Sequence, residues 1–77
     1  MNNAQPPSVS SLCAILALAY RIAHEAPHLQ VRDVFAFPVL FVRVKDTING
    51  IIVAFSSEDD YTTYVGMMRR AEVNRHV

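Results

Sequence analysis

Six side chains of the sequence have the acid–base or hydrogen-bonding chemistry that a small active site uses. They are Tyr20, His24, Glu25, Arg43, Tyr61 and Tyr64. In small oligomeric α+β enzymes such groups line a pocket, but nothing in their spacing brings these six together. The chain has only two glycines, too few for a glycine-rich phosphate loop, and no serine in a nucleophile-elbow pattern. The sequence therefore predicts no catalytic residue and favours a protein that is not an enzyme.

The segment His24-Glu25-Ala26-Pro27-His28 resembles the H-E-x-x-H pattern of zinc metallopeptidases. In that family two histidines one helical turn apart bind zinc, and the glutamate acts on the zinc-bound water. Here Pro27 stands where the family requires regular helix, so the two imidazoles cannot point the same way. We therefore assign no metal site and no cofactor to His24, Glu25 and His28, and interpret them as polar residues at a helix end.

One basic cluster, formed by Arg69, Arg70 and Arg75, is a candidate contact for a phosphate or an acidic partner, and a solvated helix end is the alternative. The formal net charge is zero, with seven basic and seven acidic residues. No overall field then attracts nucleic acid or an anionic membrane. We expect neither a membrane nor a nucleic acid to be the partner.

The elements that must position these groups centre on a β-hairpin over 39–55. Asn49 and Gly50 favour a tight turn, and both flanks are rich in β-branched residues. Apolar and charged residues alternate in the first strand, and an even-numbered loop keeps the apolar sides of both strands together. A two-residue loop at Asn49-Gly50 and a four-residue loop over 47–50, with Asp46 at the first turn position, both meet this requirement. The side chains expected to face the core are Leu40, Val42, Val44, Ile51, Val53 and Phe55.

Upstream of the turn, the preferred interpretation is one extended strand over about 31–45 with a bend at Pro38. A lone proline between two β runs does not by itself reverse the chain. Three separate short strands are the alternative. The returning strand of the hairpin spans about 51–56.

Two helices are predicted to pack on this hairpin, over about 9–26 and about 58–72. Two neighbouring apolar stripes run along the first helix, so we expect most of its circumference to be covered. Cys13 lies in this apolar run and is expected to be a small buried residue. In the second helix, Gly66 is interpreted as a place where another backbone approaches closely, because glycine otherwise weakens a helix.

The composition indicates one small α+β domain over 8–77, preceded by a flexible polar arm over 1–7. Of the 77 residues, 52% are hydrophobic and only 18% are charged, which is apolar for so small a chain. The element order α-β-β-α leaves strand edges and helix faces exposed. We therefore expect a homodimer, in which two hairpins join into a larger antiparallel sheet or the N-terminal helices pack together.

Two classes of function remain. The leading hypothesis is a small non-enzymatic protein-binding or regulatory protein, of the inhibitor or accessory-subunit type, from a bacterium or its phage. A single cysteine and the absence of basic residues before the first apolar run favour the cytoplasm. The competing hypothesis is a small oligomeric α+β enzyme or ligand-binding protein, which a polar pocket containing His24 or Tyr64 would favour.

Overall fold

A computed structural model describes residues 7–75, so nearly all of the predicted arm over 1–7 lies outside the described residues. The elements are α1 (Val9–Glu25), β1 (Leu29–Phe35), β2 (Phe41–Asp46), β3 (Ile51–Phe55) and α2 (Glu58–Arg75). The strands form an antiparallel sheet in the order β1-β2-β3. The fold is α+β, as predicted, with both helices close to their expected bounds and three strands between them.

The prediction of a single bent strand over 31–45 was wrong. The structure shows the alternative, separate short strands. The chain reverses over 36–40, a connection that includes a cis peptide between Phe37 and Pro38, and β2 then pairs with β1. The whole five-residue segment makes the reversal, so the rule that a lone proline does not reverse a strand does not apply here. The pairing of β1 with β2 changes register between Val31 and Asp33. One extra residue, Arg32, therefore forms an irregularity in this edge strand.

The β2–β3 hairpin closes through the four-residue loop over 47–50. Asp46 pairs with Ile51 and Val44 with Val53, and Gly50 at the end of the loop has a φ of 72°. That angle lies in the left-handed region, where glycine is strongly favoured. Most of the side chains predicted to face the core do so. Val42, Val44 and Phe55 are buried, and Leu40 and Val53 are half-buried. Ile51 is the exception, because it stays largely exposed.

One face of the sheet, which we call the inner face, carries the core. α1 contributes four buried residues, each strand contributes at least one, and α2 contributes one. The buried hydrophobic residues are Ile15, Leu18, Ala19, Ile22, Ala26, Leu29, Val42, Val44, Phe55 and Tyr61. Because both helices pack on this face, the opposite or outer face has no covering element in the described part of the chain.

Helix α1 begins after Ser8, whose hydroxyl accepts a hydrogen bond from the Ser11 amide at 3.1 Å. Only one of its two apolar stripes is buried, because a three-stranded sheet covers one side of a helix and α2 does not reach the other. Within one chain, therefore, most of the circumference is not covered, and the expected coverage stays a prediction. Cys13 lies on the uncovered side and is exposed in the single chain, where the sequence predicted a small buried residue.

Helix α2 begins after Ser57, whose hydroxyl accepts from the Asp60 amide at 3.2 Å, while the Asp60 carboxylate accepts from the Ser56 amide at 2.9 Å. Three acidic residues lie in its first turn, where their negative charges interact favourably with the helix dipole. The close backbone approach expected at Gly66 is not present. The atom nearest to where a Cβ would stand is the end of the Arg70 side chain, at 3.9 Å. Between residues 7 and 75, neither helix is long and apolar enough to cross a membrane.

Candidate functional site

The described chain contains an open groove of about 740 Å³, a size typical of small-ligand pockets. It lies between the end of α1, the β2–β3 loop and the inner side of α2. Polar groups from all three elements line it, among them Glu25, Asp46, Asn49, Tyr61 and Tyr64. The groove is therefore the place where a ligand site would be sought first.

The centre of the groove wall is Asp46, the last residue of β2, which is 1% exposed. One of its carboxylate oxygens accepts hydrogen bonds from the Ile48 and Asn49 amides, each at 3.0 Å. The other oxygen accepts from Asn49 Nδ2 at 2.8 Å and from the Tyr64 hydroxyl. Burial alone would raise the pKa of Asp46, but these four hydrogen bonds stabilise the carboxylate and lower its pKa to about 2. Asp46 is thus an anion whose acceptor sites are occupied by the protein itself.

Tyr64 ties α2 to the hairpin loop through this carboxylate. Burial, the hydrogen bond to Asp46 and the negative charge of that group together raise the pKa of Tyr64 to about 12. Its ring also meets the Phe55 ring edge to face, with the centroids 5.5 Å apart. At neutral pH the hydroxyl is a proton donor, so it cannot act as a general base.

A second polar cluster lies at the α1–α2 end of the groove. Arg21 Nε donates to both carboxylate oxygens of Glu25 at 3.0 Å, and its guanidinium also pairs with Glu58. The Tyr61 hydroxyl donates to Glu25 at 3.2 Å, and the guanidinium lies 5.3 Å from the centre of the Tyr61 ring. Burial and the hydrogen bond to Glu25 raise the pKa of Tyr61. The four residues therefore hold each other and fix the two helices together.

These contacts define what the groove can do chemically. Both tyrosines are held protonated, and both carboxylates already accept hydrogen bonds from the protein. No buried side-chain nitrogen or oxygen in the described residues is left without a partner. The arrangement is that of a structural network joining α1, the hairpin and α2, rather than of a set of groups directed at a substrate.

The six side chains singled out in the sequence are only partly brought together. Glu25, Tyr61 and Tyr64 line the groove. Tyr20 and His24 lie on the exposed side of α1 with their rings 5.3 Å apart, and Arg43 lies on the outer face of the sheet. The groove therefore contains Tyr64 but not His24.

The H-E-x-x-H segment is split by the end of α1. The helix stops at Glu25, so His28 lies in the following turn, where its carbonyl accepts hydrogen bonds from the Thr47 amide and hydroxyl. Within the described part of the chain, no group of three His, Cys, Asp or Glu side chains is placed to hold a metal ion.

The basic cluster lies on the second half of α2. Arg69 and Arg70 are exposed, and Arg69 also lines the groove. Arg75 is the last residue of the helix, and its side chain lies outside the described residues. Nothing in the described contacts directs Arg69 and Arg70 to one binding site.

The central role of Asp46 was missed by the sequence argument, which had placed it only at the first position of a candidate turn. The available signal was the Asp46-Thr47-Ile48-Asn49 segment, since aspartate side chains often accept hydrogen bonds from amides two and three residues on. No spacing in the sequence indicated Tyr64, the hydrogen-bond partner of Asp46 on α2.

Comparison with known proteins adds no relative, since no family model, curated protein or solved structure matches this chain.

Proposed function

We propose that the chain is a small non-enzymatic protein-binding or regulatory protein, of the inhibitor or accessory-subunit type. It acts as a homodimer in the cytoplasm of a bacterium, encoded there or by a phage. The observation that carries this proposal is the uncovered outer face of the sheet, which presents aromatic and apolar side chains to the solvent. Such a face on a small chain is typical of a surface that another protein covers.

The outer face has the composition of a protein-binding hot spot. Phe35 of β1 and Phe41 of β2 stack with their ring centroids 4.7 Å apart. Arg43 lies over the Phe35 ring at 5.4 Å and pairs with Asp33, whose carboxylate accepts from Arg43 Nε at 2.9 Å. Ile52 of β3 is 54% exposed on the same face. We call Phe35, Phe41, Arg43 and Ile52 the aromatic patch. Aromatic residues and arginine are the types most enriched at the centres of interfaces.

The patch is also held in shape before any partner binds. Phe35 and Phe41 are directly paired across the two strands, and the ion pair of Asp33 with Arg43 occupies the next pair on the same face, two positions along. A rigid aromatic surface loses little side-chain freedom on binding, which favours affinity. The loop over 36–40, which joins the two strands, also exposes apolar side chains, with Phe37 and Val39 both more than half exposed.

The test is affinity capture from bacterial extracts with three forms of the chain. Ile52→Glu places a charge in the patch, whereas Val73→Glu places one on the far end of α2, at a residue that is 63% exposed. We expect the unaltered chain and Val73→Glu to retain the same defined partner, and Ile52→Glu to retain at least about tenfold less of it. The same proteins on all three forms, or none on the unaltered chain, would contradict a binding role for this face.

The second candidate function, a ligand-binding protein or small oligomeric enzyme, is favoured by the groove and by the presence of Tyr64 in it. Its polar groups are already bonded to one another, so a ligand would have to take over existing hydrogen bonds. A small molecule that raises the melting temperature of the unaltered chain, and does not do so for Tyr64→Phe, would favour this candidate over the first.

A further inference from the structure

Helix α1 presents to the solvent a stripe of side chains with the spacing of a helix-packing seam. The outer stripe consists of Val9, Cys13, Leu16, Tyr20 and Ala23, which recur after four, three, four and three residues. All five are exposed, and Val9, Leu16 and Tyr20 are 77%, 55% and 72% exposed. The stripe lies beside the buried stripe of Ile15, Leu18, Ala19 and Ile22, so it is not part of the core.

The charge pattern of α1 restricts what can cover this stripe. No charged residue occurs in the helix from Val9 to Tyr20. The charged residues that follow, Arg21 and Glu25, point to the other side, where they pair with each other and Arg21 pairs with Glu58 of α2. A surface without charges selects a partner surface without charges, because a charged group facing it would lose its water without gaining a partner. This chain carries such a surface itself.

We propose that the outer stripe binds the outer stripe of a second copy of this chain, with the two α1 helices antiparallel about a two-fold axis at Leu16. This inference specifies the homodimer of the proposed function and rests on that part of it. The antiparallel arrangement places Cys13 opposite Tyr20 and Val9 opposite Ala23, so that a small side chain faces a larger one along the seam. A parallel arrangement would place Tyr20 against Tyr20. Antiparallel helices also align their dipoles favourably.

The exposed area of the stripe reaches the lower limit for a specific dimer interface. A covered tyrosine buries roughly 150–250 Å² and aliphatic side chains somewhat less, so with the exposed fractions above the stripe offers on the order of 500 Å² per chain. Two copies then bury about 1,000 Å² in total, which is the minimum area of a biological interface and corresponds to a dimer at the weaker end of the range. The stripe reaches this minimum without a contribution from the sheet.

The test begins with the mass in solution, measured by light scattering on a sizing column over about 1 to 100 μM. The unaltered chain is expected at about 17 kDa, twice the 8.6 kDa of one chain. Leu16→Glu and Tyr20→Glu are expected to weaken the dimer at least about 100-fold, because each dimer loses two apolar contacts and gains two buried charges. Since both side chains are more than half exposed, both variants should keep the circular dichroism spectrum of the unaltered chain.

The matched control is Ile52→Glu. The Ile52 side chain is as exposed as that of Leu16, but it lies on β3 and not on α1. We expect it to remain a dimer. If Ile52→Glu is monomeric while Leu16→Glu is dimeric, the two copies meet through the sheet and the inference is overturned. A monomer at every concentration of the unaltered chain also overturns it, yet leaves the aromatic patch to be judged by the capture experiment.

A crosslinking experiment checks the helix arrangement without relying on the glutamate variants. In a Cys13→Ser background, Leu16→Cys places a thiol on the proposed two-fold axis, where mild oxidation should join two chains. In the unaltered chain the two Cys13 thiols lie opposite Tyr20 and not opposite each other. They should therefore form a disulfide about tenfold more slowly than the Leu16→Cys variant does, because thiols must approach within narrow geometric limits. Faster crosslinking through Cys13 would contradict the antiparallel arrangement.

Discussion

Replacing the buried Asp46 by asparagine tests whether its hydrogen-bond network stabilises the fold as the geometry indicates. Asp46→Asn keeps the size of the side chain but removes the charge and puts an amide nitrogen, which cannot accept, in place of one oxygen. At neutral pH we expect the free energy of unfolding to fall by about 2–4 kcal/mol, since hydrogen bonds to charged groups contribute about 1.5–3 kcal/mol each and some will rearrange. The chain should remain folded but become marginal.

The pH dependence of the free energy of unfolding gives a narrower value for the contribution of the ionised Asp46. The pKa of Asp46 is 3.8 without the fold and about 2 within it. Each pH unit is worth about 1.4 kcal/mol, so this difference corresponds to roughly 2 kcal/mol of stability. Because the folded-state pKa is lowered, this stabilisation is fully present above the unfolded value and is lost as the pH falls from 3.8 to about 2. In Asp46→Asn this contribution is absent at every pH.

The assay is urea unfolding followed by circular dichroism, for both proteins, near pH 7 and near pH 2. The gap in unfolding free energy between them should be smaller by about 2 kcal/mol at the acid end. Asp59→Asn serves as the control, because Asp59 is exposed in the first turn of α2 and its loss should cost no more than about 1 kcal/mol. A gap that stays the same at both pH values would refute the reasoning about Asp46.

Three further predictions concern the packing around this network. Tyr64→Phe should lower the free energy of unfolding by about 1–2 kcal/mol and raise the pKa of Asp46, because the buried carboxylate loses one donor; unchanged acid unfolding would contradict this. Phe55→Ala should cost about 3–5 kcal/mol in urea unfolding, because the side chain is 1% exposed and contacts both Tyr61 and Tyr64; a cost below about 1 kcal/mol would mean that the site collapses. Gly66→Ala should stabilise the chain by about 0.5–1 kcal/mol, because a Cβ meets only the end of Arg70 at 3.9 Å; a lower melting temperature would indicate a contact that the structure does not show.

The fold class and the helices could be predicted because they depend on local patterns. Serines stand at the start of both helices, Pro27 follows the end of the first, and the alternation around Val42 and Val44 fixes which side of β2 is buried. The β1–β2 connection could not be predicted in the same way. Its reversal depends on the conformation of five consecutive residues, and a strong preference for extended structure on both sides of Pro38 made one long strand equally consistent with the pattern.

The polar network was beyond sequence reasoning for a different reason. Asp46 and Tyr64 are 18 positions apart and lie on elements of different type, so no single period relates them. The groove exists only because α2 returns over the hairpin loop. For α1, the apolar pattern shows which residues avoid water, but not whether this chain or another one covers them. Cys13 and Leu16 illustrate this, since both belong to an apolar run and both are exposed.

The two edges of the sheet differ in a way that bears on how the chain behaves at high concentration. β1 carries the irregularity at Arg32 together with the charged Asp33, and both features discourage the addition of another strand. β3 has the sequence Ile51-Ile52-Val53-Ala54-Phe55, with no charge, proline or bulge, and in the described chain it pairs with β2 alone. Such an edge is a template for ordered aggregation. At high concentration, β3 is therefore the strand of this sheet at which we expect ordered aggregation to begin.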